Sequence, residues 1–188
     1  MSVGEFLARL TRVLDDANIP TMFCGSIAST YYGIPRTTQD VDLVVDLRPD
    51  DVPRLLAAFP EDQYYVSEDA VRDAVRRRSP FNIIDFETGW KADLIVRRAR
   101  AFSAEELTRR RRVEILGAEV WVATPEDTIL AKLEWAAMSD SERQLRDVTS
   151  ILQIRGEKLD WDYMARWADE LGVHDALQRL RRDTTAVS

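Results

Sequence analysis

Residues 23–45 read FCGSIASTYYGIPRTTQDVDLVV, and their pattern is the strongest indication of the fold in this chain. The stretch starts at the end of a short apolar run, passes through a Gly25-Ser26 turn and continues with apolar residues at helical spacing. A Gly and a Pro, at positions 33 and 35, end that helix. Acidic and aliphatic residues then alternate over 40–46, a pattern typical of a strand with one polar face. The stretch therefore predicts a strand, a turn, a helix and a second strand that pairs with the first.

Asp40 and Asp42 lie two residues apart on the second of these strands. Successive side chains of a strand face opposite sides of the sheet, so both carboxylates project from one face while Val41 and Leu43 enter the core. Two close carboxylates repel each other when ionised, and a divalent cation that takes one oxygen from each relieves the repulsion. Mg²⁺ suits the pair because it prefers hard oxygen ligands. The pair predicts a magnesium site, although exposed strands also carry such pairs without a metal.

Gly25 and Ser26 stand at the start of the predicted helix, shortly before the two aspartates. A glycine lets a phosphate approach the backbone, and the free amides and dipole of a first helical turn favour an anion, to which the Ser hydroxyl adds a donor. Arg36, in the loop that follows, can add a guanidinium to the same phosphates. Each residue has an ordinary structural explanation by itself. Together they predict a phosphate site opposite the metal site.

Helices and hairpins alternate through the first two thirds of the chain. A helix with the capping-box residues Ser2 and Glu5 comes first. Later patterns predict two hairpins, which turn at Thr88-Gly89 and at Gly117-Ala118, and between them a short helix capped by Ser103.

The last third of the chain has a helical pattern throughout. It begins at Thr124, a cap residue followed by a Pro at the first helical position. Three or four helices are predicted there, at about 125–138, 141–155, 161–171 and 173–182. We therefore expect an α/β (α+β) fold with a mixed, mainly antiparallel sheet in residues 1–123 and a helical region in residues 124–188.

The composition excludes several classes of protein. The chain has 188 residues with one Cys and one His, so disulfide frameworks, Cys/His zinc sites and any catalytic pair that needs two such residues of one kind are excluded. No apolar run would span a bilayer, and the N-terminus lacks the pattern of a signal peptide, so we expect a cytoplasmic protein with no membrane contact. The net charge is −7, yet residues 72–112 hold 12 basic and 6 acidic residues. This basic segment suits a phosphate-rich partner, or reflects a codon bias towards Arg.

The stretch 23–45 resembles the signature of the polymerase-beta-type nucleotidyltransferase superfamily, a Gly-Ser or Gly-Gly turn followed by an Asp-x-Asp strand. Within it, the motif Tyr-Gly-x-Pro-Arg-x-Thr-x-Asp is similar to that of the AbiEii-type branch, which includes bacterial toxin–antitoxin nucleotidyltransferases. The resemblance covers about residues 20–150 and is most specific in its first half. It implies a nucleotidyltransferase fold whose C-terminal helices close one wall of a cleft.

The resemblance also implies roles for individual residues. Gly25 and Ser26 would bind the nucleotide phosphates with Arg36, and Asp40 and Asp42 would hold Mg²⁺. A third acid completes the site in the superfamily.

That third acid must be chosen among Asp85, Glu87 and Asp93. Asp93 is preferred because the aliphatic run after it mirrors the one after Asp42.

On the helices after residue 124, Lys132 resembles the lysine that faces the triphosphate. Arg143, Arg146 and Asp147 resemble the next motif of the branch, and Asp147 is taken as a further nucleotide-binding residue. A solvated helix face with ion pairs is the alternative for this last motif.

The implied reaction is Mg²⁺-dependent transfer of a nucleoside monophosphate from an NTP to a hydroxyl group. The acceptor stays open at this point. An RNA 3′ end such as that of tRNA, modified by a toxin that has a cognate antitoxin as partner, fits the basic segment. A small molecule such as an aminoglycoside or a lincosamide fits the acidic remainder of the chain. A third alternative is a catalytically silent module that binds nucleotides or another protein.

Overall fold

The computed structural model describes residues 2–35 and 40–185. These residues group into two compact units, of which the first comprises Met1–Ser26 and Thr38–Ala123 and the second Ile27–Thr37 and Thr124–Ser188. Residues 27–37 thus group with the C-terminal helices. The division of the chain into a nucleotidyltransferase core, residues 1–123, and a C-terminal helical region, residues 124–188, stays a prediction.

Nine α-helices lie in the described ranges. They are α1 (Val3–Asp16), α2 (Gly25–Tyr32), α3 (Val52–Ala58), α4 (Glu68–Arg77), α5 (Ala101–Arg109), α6 (Pro125–Ser139), α7 (Glu142–Arg155), α8 (Trp161–Glu170) and α9 (His174–Thr185). Single turns of 3₁₀ helix lie at Pro49–Asp51 and Gly156–Lys158. None of the helices in this part of the chain is long and apolar enough to cross a membrane.

The first unit is built on one mixed sheet, which has seven strands in the described residues. They are β1 (Thr21–Phe23), β2 (Asp40–Val45), β3 (Tyr64–Tyr65), β4 (Pro80–Asp85), β5 (Lys91–Val96), β6 (Arg111–Ile115) and β7 (Ala118–Val122). The strand order is β3-β4-β5-β2-β1-β7-β6. The β1–β7 and β2–β5 pairs are parallel and the other four pairs are antiparallel. The predicted mixed, mainly antiparallel sheet is confirmed.

Local sequence signals account for most of these elements. The two strands that flank the Gly-Ser turn pair antiparallel, as predicted. The predicted hairpins are β4–β5 and β6–β7. At the start of α1 the Glu5 amide donates to Ser2 Oγ and the Ser2 amide donates to Glu5 Oε2, which completes the capping box.

One predicted cap is wrong. Helix α5 begins two residues before Ser103, after Arg100 in the cap position, and Ser103 is buried inside the helix. Its hydroxyl accepts a hydrogen bond from Arg100 Nε at 3.1 Å. The side chain of Ser103 therefore satisfies a guanidinium instead of a backbone amide.

One face of the sheet forms the core of the first unit. Alternate residues of the central strands are fully buried there; they are Val41, Leu43, Val45, Ala92, Leu94 and Val96. Helix α1 contributes its own buried apolar face, Phe6, Leu7, Leu10 and Leu14. Burying one such Leu or Phe side chain contributes about 1.5–3 kcal/mol. The polar residues between them on the strands consequently share the other face of the sheet.

The second unit is helical. It contains α6 to α9 together with the residues of α2 that follow Ser26. Helix α6 starts as its sequence predicts: Thr124 Oγ1 accepts a hydrogen bond from the Asp127 amide, and Pro125 takes the first helical position.

Candidate active site

Three acidic residues share the polar face of the sheet. Asp42 on β2 lies directly beside Asp93 on the parallel strand β5, and Asp40 lies two residues before Asp42. Neighbouring strands are about 4.8 Å apart, and register partners point to the same side. The structure thus brings Asp40, Asp42 and Asp93 together. Their roles as metal ligands stay predictions.

The other two acids considered for the third position lie elsewhere. Asn82 on β4 opposes Asp93, so Asp85, three residues further along the strand, points to the opposite face. The Asp85 carboxylate is buried and forms an ion pair with Arg9 of α1. Glu87 lies past the end of the strand, where it also reaches Arg9, at 3.3 Å. Asp93 is therefore the one of these three candidates that shares a face with the strand aspartates.

The Gly-Ser turn is held directly against the acidic strand. Gly25 has a φ of +53°, and a Cβ built on it would collide with the carboxylate of Asp42. The Ser26 hydroxyl donates to the Asp40 carbonyl oxygen at 3.3 Å, and the Ser26 amide lies 3.5 Å from Asp42 Oδ2. Position 25 requires glycine both for its backbone conformation and for its close approach to Asp42. The first turn of α2 therefore meets the acidic face at Asp42.

Sequence reasoning missed one charged residue of this face. Lys91 Nζ lies 3.0 Å from Asp93 Oδ2 and 3.5 Å from Asp40 Oδ1. The hydrogen bond to Asp93 is the main cause that raises the pKa of Lys91 above its ordinary value, against a smaller opposing effect of burial. The signal was present in the sequence, because Lys91 stands two residues before Asp93 and so shares its face. An ammonium group thus lies between two of the three proposed metal ligands.

Two groups of arginines in the basic segment 72–112 differ in their surroundings in the first unit. Arg76 and Arg77 of α4 pair with Asp73 on the same helix, at 2.9 and 3.0 Å. Arg97 follows β5 and pairs with Asp46, which follows β2. These arginines are already partnered by carboxylates. The second group is the run 109–112, which leads into the edge strand β6.

Two arginines of the run 109–112 place their guanidinium groups over the ring of Trp121. Arg110 lies 4.8 Å and Arg112 lies 5.6 Å from the centre of the Trp121 ring. Arg110 also donates to the Leu107 carbonyl oxygen, and Arg112 reaches Glu119 at 3.3 Å. Cations stack favourably on a Trp face. We call Arg110, Arg112 and Trp121 the arginine edge.

The arginine edge lies on the same face of the sheet as the acids. Phe23 of β1 pairs with Leu43 on one side and with Val122 on the other, so Leu43 and Val122 share the buried face. Asp42 and Trp121, the residues next to them in sequence, therefore both point to the polar face. Strands β2 and β6 are three strand spacings apart, or about 14 Å.

A buried ion pair lies in the second unit. Lys132 Nζ of α6 donates to Asp147 Oδ2 of α7 at 2.8 Å and to Gln144 Oε1 at 2.8 Å. The Ser29 hydroxyl of α2 donates to the same Asp147 oxygen at 3.3 Å. The two charged side chains are only 5% and 10% exposed. The structure thus brings together Lys132 and Asp147, and their nucleotide-binding roles stay predictions.

The remaining candidates have different positions. Arg36 lies outside the described residues. Arg143 is exposed, and Arg146 pairs with Glu142 on the exposed face of α7 at 3.4 Å. In this motif the buried contacts belong to the aspartate at position 147.

A family model described as "Nucleotidyl transferase AbiEii toxin, Type IV TA system" matches residues 5–184. The chain belongs to the AbiEii nucleotidyltransferase family. The match extends well beyond the motif region, into the C-terminal helices. As a member of this family the protein is a nucleotidyltransferase. A comparison with curated proteins gives no match.

Solved structures with the same fold include two that this AbiEii-family chain covers almost completely. An antigenic nucleotidyltransferase-like protein from Paracoccidioides brasiliensis is 17% identical, with a TM-score of 0.53 over 95% of this chain and 91% of the other. ANT(2")-Ia in complex with adenylyl-2"-tobramycin is 15% identical, with a TM-score of 0.55 over 95% of this chain and 97% of the other. At these identities the similarity establishes the nucleotidyltransferase fold.

Nucleotidyltransferases of this kind generally use divalent metals, so the acidic face has to be compared with what a metal needs. In residues 2–35 and 40–185 no three acidic, His or Cys side chains are gathered closely enough to ligate one ion as they stand. The donor chemistry nevertheless fits Mg²⁺: Asp40, Asp42 and Asp93 offer only carboxylate oxygens, and they share one face of two adjacent strands. Glycine at position 25 allows the Asp42 carboxylate to keep its place on this face, since a Cβ there would collide with it.

Proposed function

We propose that the protein transfers a nucleoside monophosphate from an NTP to a hydroxyl acceptor, with Mg²⁺ held by Asp40, Asp42 and Asp93. The observation that carries the proposal is the register of β2 and β5, which puts Asp42 beside Asp93 on the polar face. A carboxylate cluster of this kind is costly without a cation. In a nucleotidyltransferase the cluster is therefore best explained as a metal site.

The bound metal would neutralise charge on the phosphates and activate the α-phosphorus. The residues of the chain supply the remaining steps. Ser26 and the first turn of α2 bind the triphosphate, and this requires that the negative charge of Asp42, 3.5 Å from the Ser26 amide, is neutralised first. Asp93 accepts the proton of the acceptor hydroxyl. The acceptor oxygen then forms a bond to the α-phosphorus as the bond to pyrophosphate breaks.

For the second unit we propose that Lys132 binds the nucleotide and that Asp147 orients the lysine side chain. The proposal is supported by the hydrogen bonds of this buried pair: the Asp147 carboxylate accepts one from Lys132 and one from Ser29. Buried ion pairs seldom add stability compared with apolar residues. A role in nucleotide binding would explain why this pair is kept in the fold. Arg36 remains a proposed phosphate ligand on the resemblance alone.

We propose RNA, such as a tRNA 3′ end, as the acceptor, with the protein acting in the cytoplasm as a toxin that has a cognate antitoxin. The arginine edge supports RNA, because guanidinium groups on an aromatic ring fit a nucleic-acid backbone and its bases. The edge lies on the same face as Asp42. A strand of RNA bound along it could extend towards the acids.

A small-molecule acceptor is the second candidate. It is favoured by the negative charge of the chain outside the basic segment, since acidic surfaces attract cationic compounds. ANT(2")-Ia, which shares the fold, is bound to an adenylylated tobramycin.

Labelled nucleotide distinguishes these acceptors. The protein is incubated with Mg²⁺ or EDTA, each α-labelled NTP separately, and either total cellular RNA or an aminoglycoside. We expect Mg²⁺-dependent label in an RNA band, lost in Asp42→Asn and kept in Asp50→Asn, which makes the same change at an exposed position. Label on the aminoglycoside alone would replace RNA by the small molecule. Absence of transfer with every acceptor would favour a catalytically silent module.

A further inference from the structure

Lys91 is the one lysine of the acidic face, and the roles described above do not use it. Its ammonium lies within 3.5 Å of carboxylate oxygens of both Asp40 and Asp93. All three side chains are partly exposed: 38% for Lys91, 57% for Asp40 and 30% for Asp93. The contact is therefore open to solvent and its partners are free to exchange.

The ammonium neutralises part of the charge that the aspartates would otherwise present to each other. Like charges on adjacent strands destabilise a sheet, and a cation between them relieves the repulsion. In the metal-free protein Lys91 therefore supplies the positive charge that a metal ion would otherwise place between Asp40 and Asp93.

The same geometry makes the ammonium and a metal ion competitors. Mg²⁺ binds carboxylate oxygens at about 2.0–2.1 Å and demands nearly octahedral geometry around itself. An ammonium that stayed within hydrogen-bond distance of the same carboxylates would face a divalent ion at close range, and the two positive charges would repel each other. Lys91 has a flexible four-carbon stem, so its head can move away while the strand stays in place.

We propose that Lys91 occupies the cation position between Asp40 and Asp93 in the metal-free protein and is displaced when a divalent ion binds. Lys91 is thus a positioning residue that lowers the affinity for the metal. The inference rests on the proposed function, since it takes Asp40, Asp42 and Asp93 as metal ligands. It assigns no step of the reaction to Lys91.

The test is the affinity for Mn²⁺, which replaces Mg²⁺ and whose free form is counted by electron paramagnetic resonance. Lys91→Met and Lys91→Gln remove the charge, and Lys91→Arg keeps it. Lys158→Met is the matched control, because it removes one charge from an exposed position in the second unit. We expect Mn²⁺ to bind about threefold to thirtyfold more tightly to both neutral variants, on the order of what two partly exposed ion pairs contribute. Lys91→Arg and Lys158→Met should stay close to the wild type.

Thermal unfolding without metal provides the second measurement. The two neutral variants should melt at a lower temperature than the wild type, and Mn²⁺ should raise their melting temperature more than it raises that of the wild type. If Lys91 only packed against the strands, its replacement would lower the melting temperature without tightening metal binding. Cooperative unfolding also shows that each variant is folded.

The results separate the two claims. Unchanged or weaker Mn²⁺ affinity in both neutral variants overturns the competition while leaving the proposed metal site in place, provided that Asp42→Asn abolishes binding. Mn²⁺ binding that is absent from every variant, the wild type included, overturns the metal site and the inference with it. Binding that is tighter in Lys158→Met as well means that net charge, and not Lys91, sets the affinity.

Discussion

The acidic face of the sheet and the Lys132–Asp147 pair are both built from a lysine and aspartates, but they differ in exposure. Lys91 and its partners are between 30% and 57% exposed, whereas the side chains of Lys132 and Asp147 are 5% and 10% exposed. The buried pair is also held by Ser29 and Gln144. Half-exposed charges can exchange partners at little cost, and buried ones cannot.

The comparison indicates that charge serves two purposes in this chain. On the acidic face we propose that the ion pairs orient the metal-binding carboxylates and are replaced when a metal ion binds. In the second unit the ion pair fixes three helices to each other, since Ser29, Lys132 and Asp147 lie on α2, α6 and α7. Substitution should therefore reduce activity without loss of stability in the first region, and should reduce both stability and nucleotide binding in the second.

The largest effect is expected for Asp42→Asn. Loss of one metal-binding carboxylate should reduce nucleotide transfer by about 10³-fold or more, a barrier increase of about 4 kcal/mol. The melting temperature without metal should be unchanged or slightly higher, because the substitution relieves repulsion with Asp93. Initial rates and thermal melts measure the two effects, with Asp50→Asn as the control. Turnover at the wild-type level would exclude Asp42 from the site.

Lys132→Met breaks the buried pair and leaves the Asp147 carboxylate without its cation. We expect a loss of about 3–5 kcal/mol in the free energy of unfolding, measured with urea. Lys158→Met, which removes an exposed lysine, should change it by less than about 0.5 kcal/mol. The double variant Lys132→Met/Asp147→Leu should recover much of the loss. If the double variant is as unstable as the single one, the pair does not carry the stability.

Asp85 and Asp93 allow the same comparison, between a buried ion pair and a partly exposed acid of the proposed site, within one sheet. Asp85→Asn should destabilise the protein by about 2 kcal/mol, because it weakens a buried contact with Arg9, and the remaining folded protein should keep its activity. Asp93→Asn should abolish activity at nearly unchanged stability. Urea unfolding and transfer rates are measured for both variants. The reverse pattern, with Asp85 needed for turnover, would move the third acid to the other face of the sheet.

The smallest effect is expected at the edge strand. Replacing Arg110 and Arg112 by Gln should weaken RNA binding and lower the slope of log affinity against log salt by up to about 1.5, as each lost phosphate contact contributes about 0.7–0.9. Arg76→Gln/Arg77→Gln carries the same change on α4, where Asp73 already pairs with both arginines. Salt titrations that coincide for all three proteins would remove the support for RNA from the arginine edge.

Local patterns were sufficient for much of the fold. Alternation placed Asp40 and Asp42 on one face, and cap residues placed the starts of α1 and α6. Ser103 shows the limit of cap signals, because its hydroxyl accepts a hydrogen bond from the Arg100 side chain instead of capping the helix.

The parallel pairing of β2 with β5 was beyond local patterns, because the two strands are about fifty residues apart and no turn joins them. The resemblance implied a third acid and the aliphatic run after Asp93 favoured that residue, but the place of Lys91 beside Asp40 follows only from the register. The ion pair between Lys132 and Asp147 likewise needs the packing of α6 on α7, which the helical periodicity of each does not contain.

The contact between Gly25 and Asp42 restricts how the sequence can evolve. A side chain at position 25 would collide with Asp42 and would also have to adopt a φ of +53°, so it becomes acceptable only when residue 42 and the turn both change; replacing Asp42 removes one of the proposed metal ligands. On that proposal, neither substitution leaves an active protein when it is made first. Among relatives, a residue other than glycine at position 25 should accompany a residue other than aspartate at position 42. Such a sequence would mark a lineage that has kept the fold and given up the chemistry.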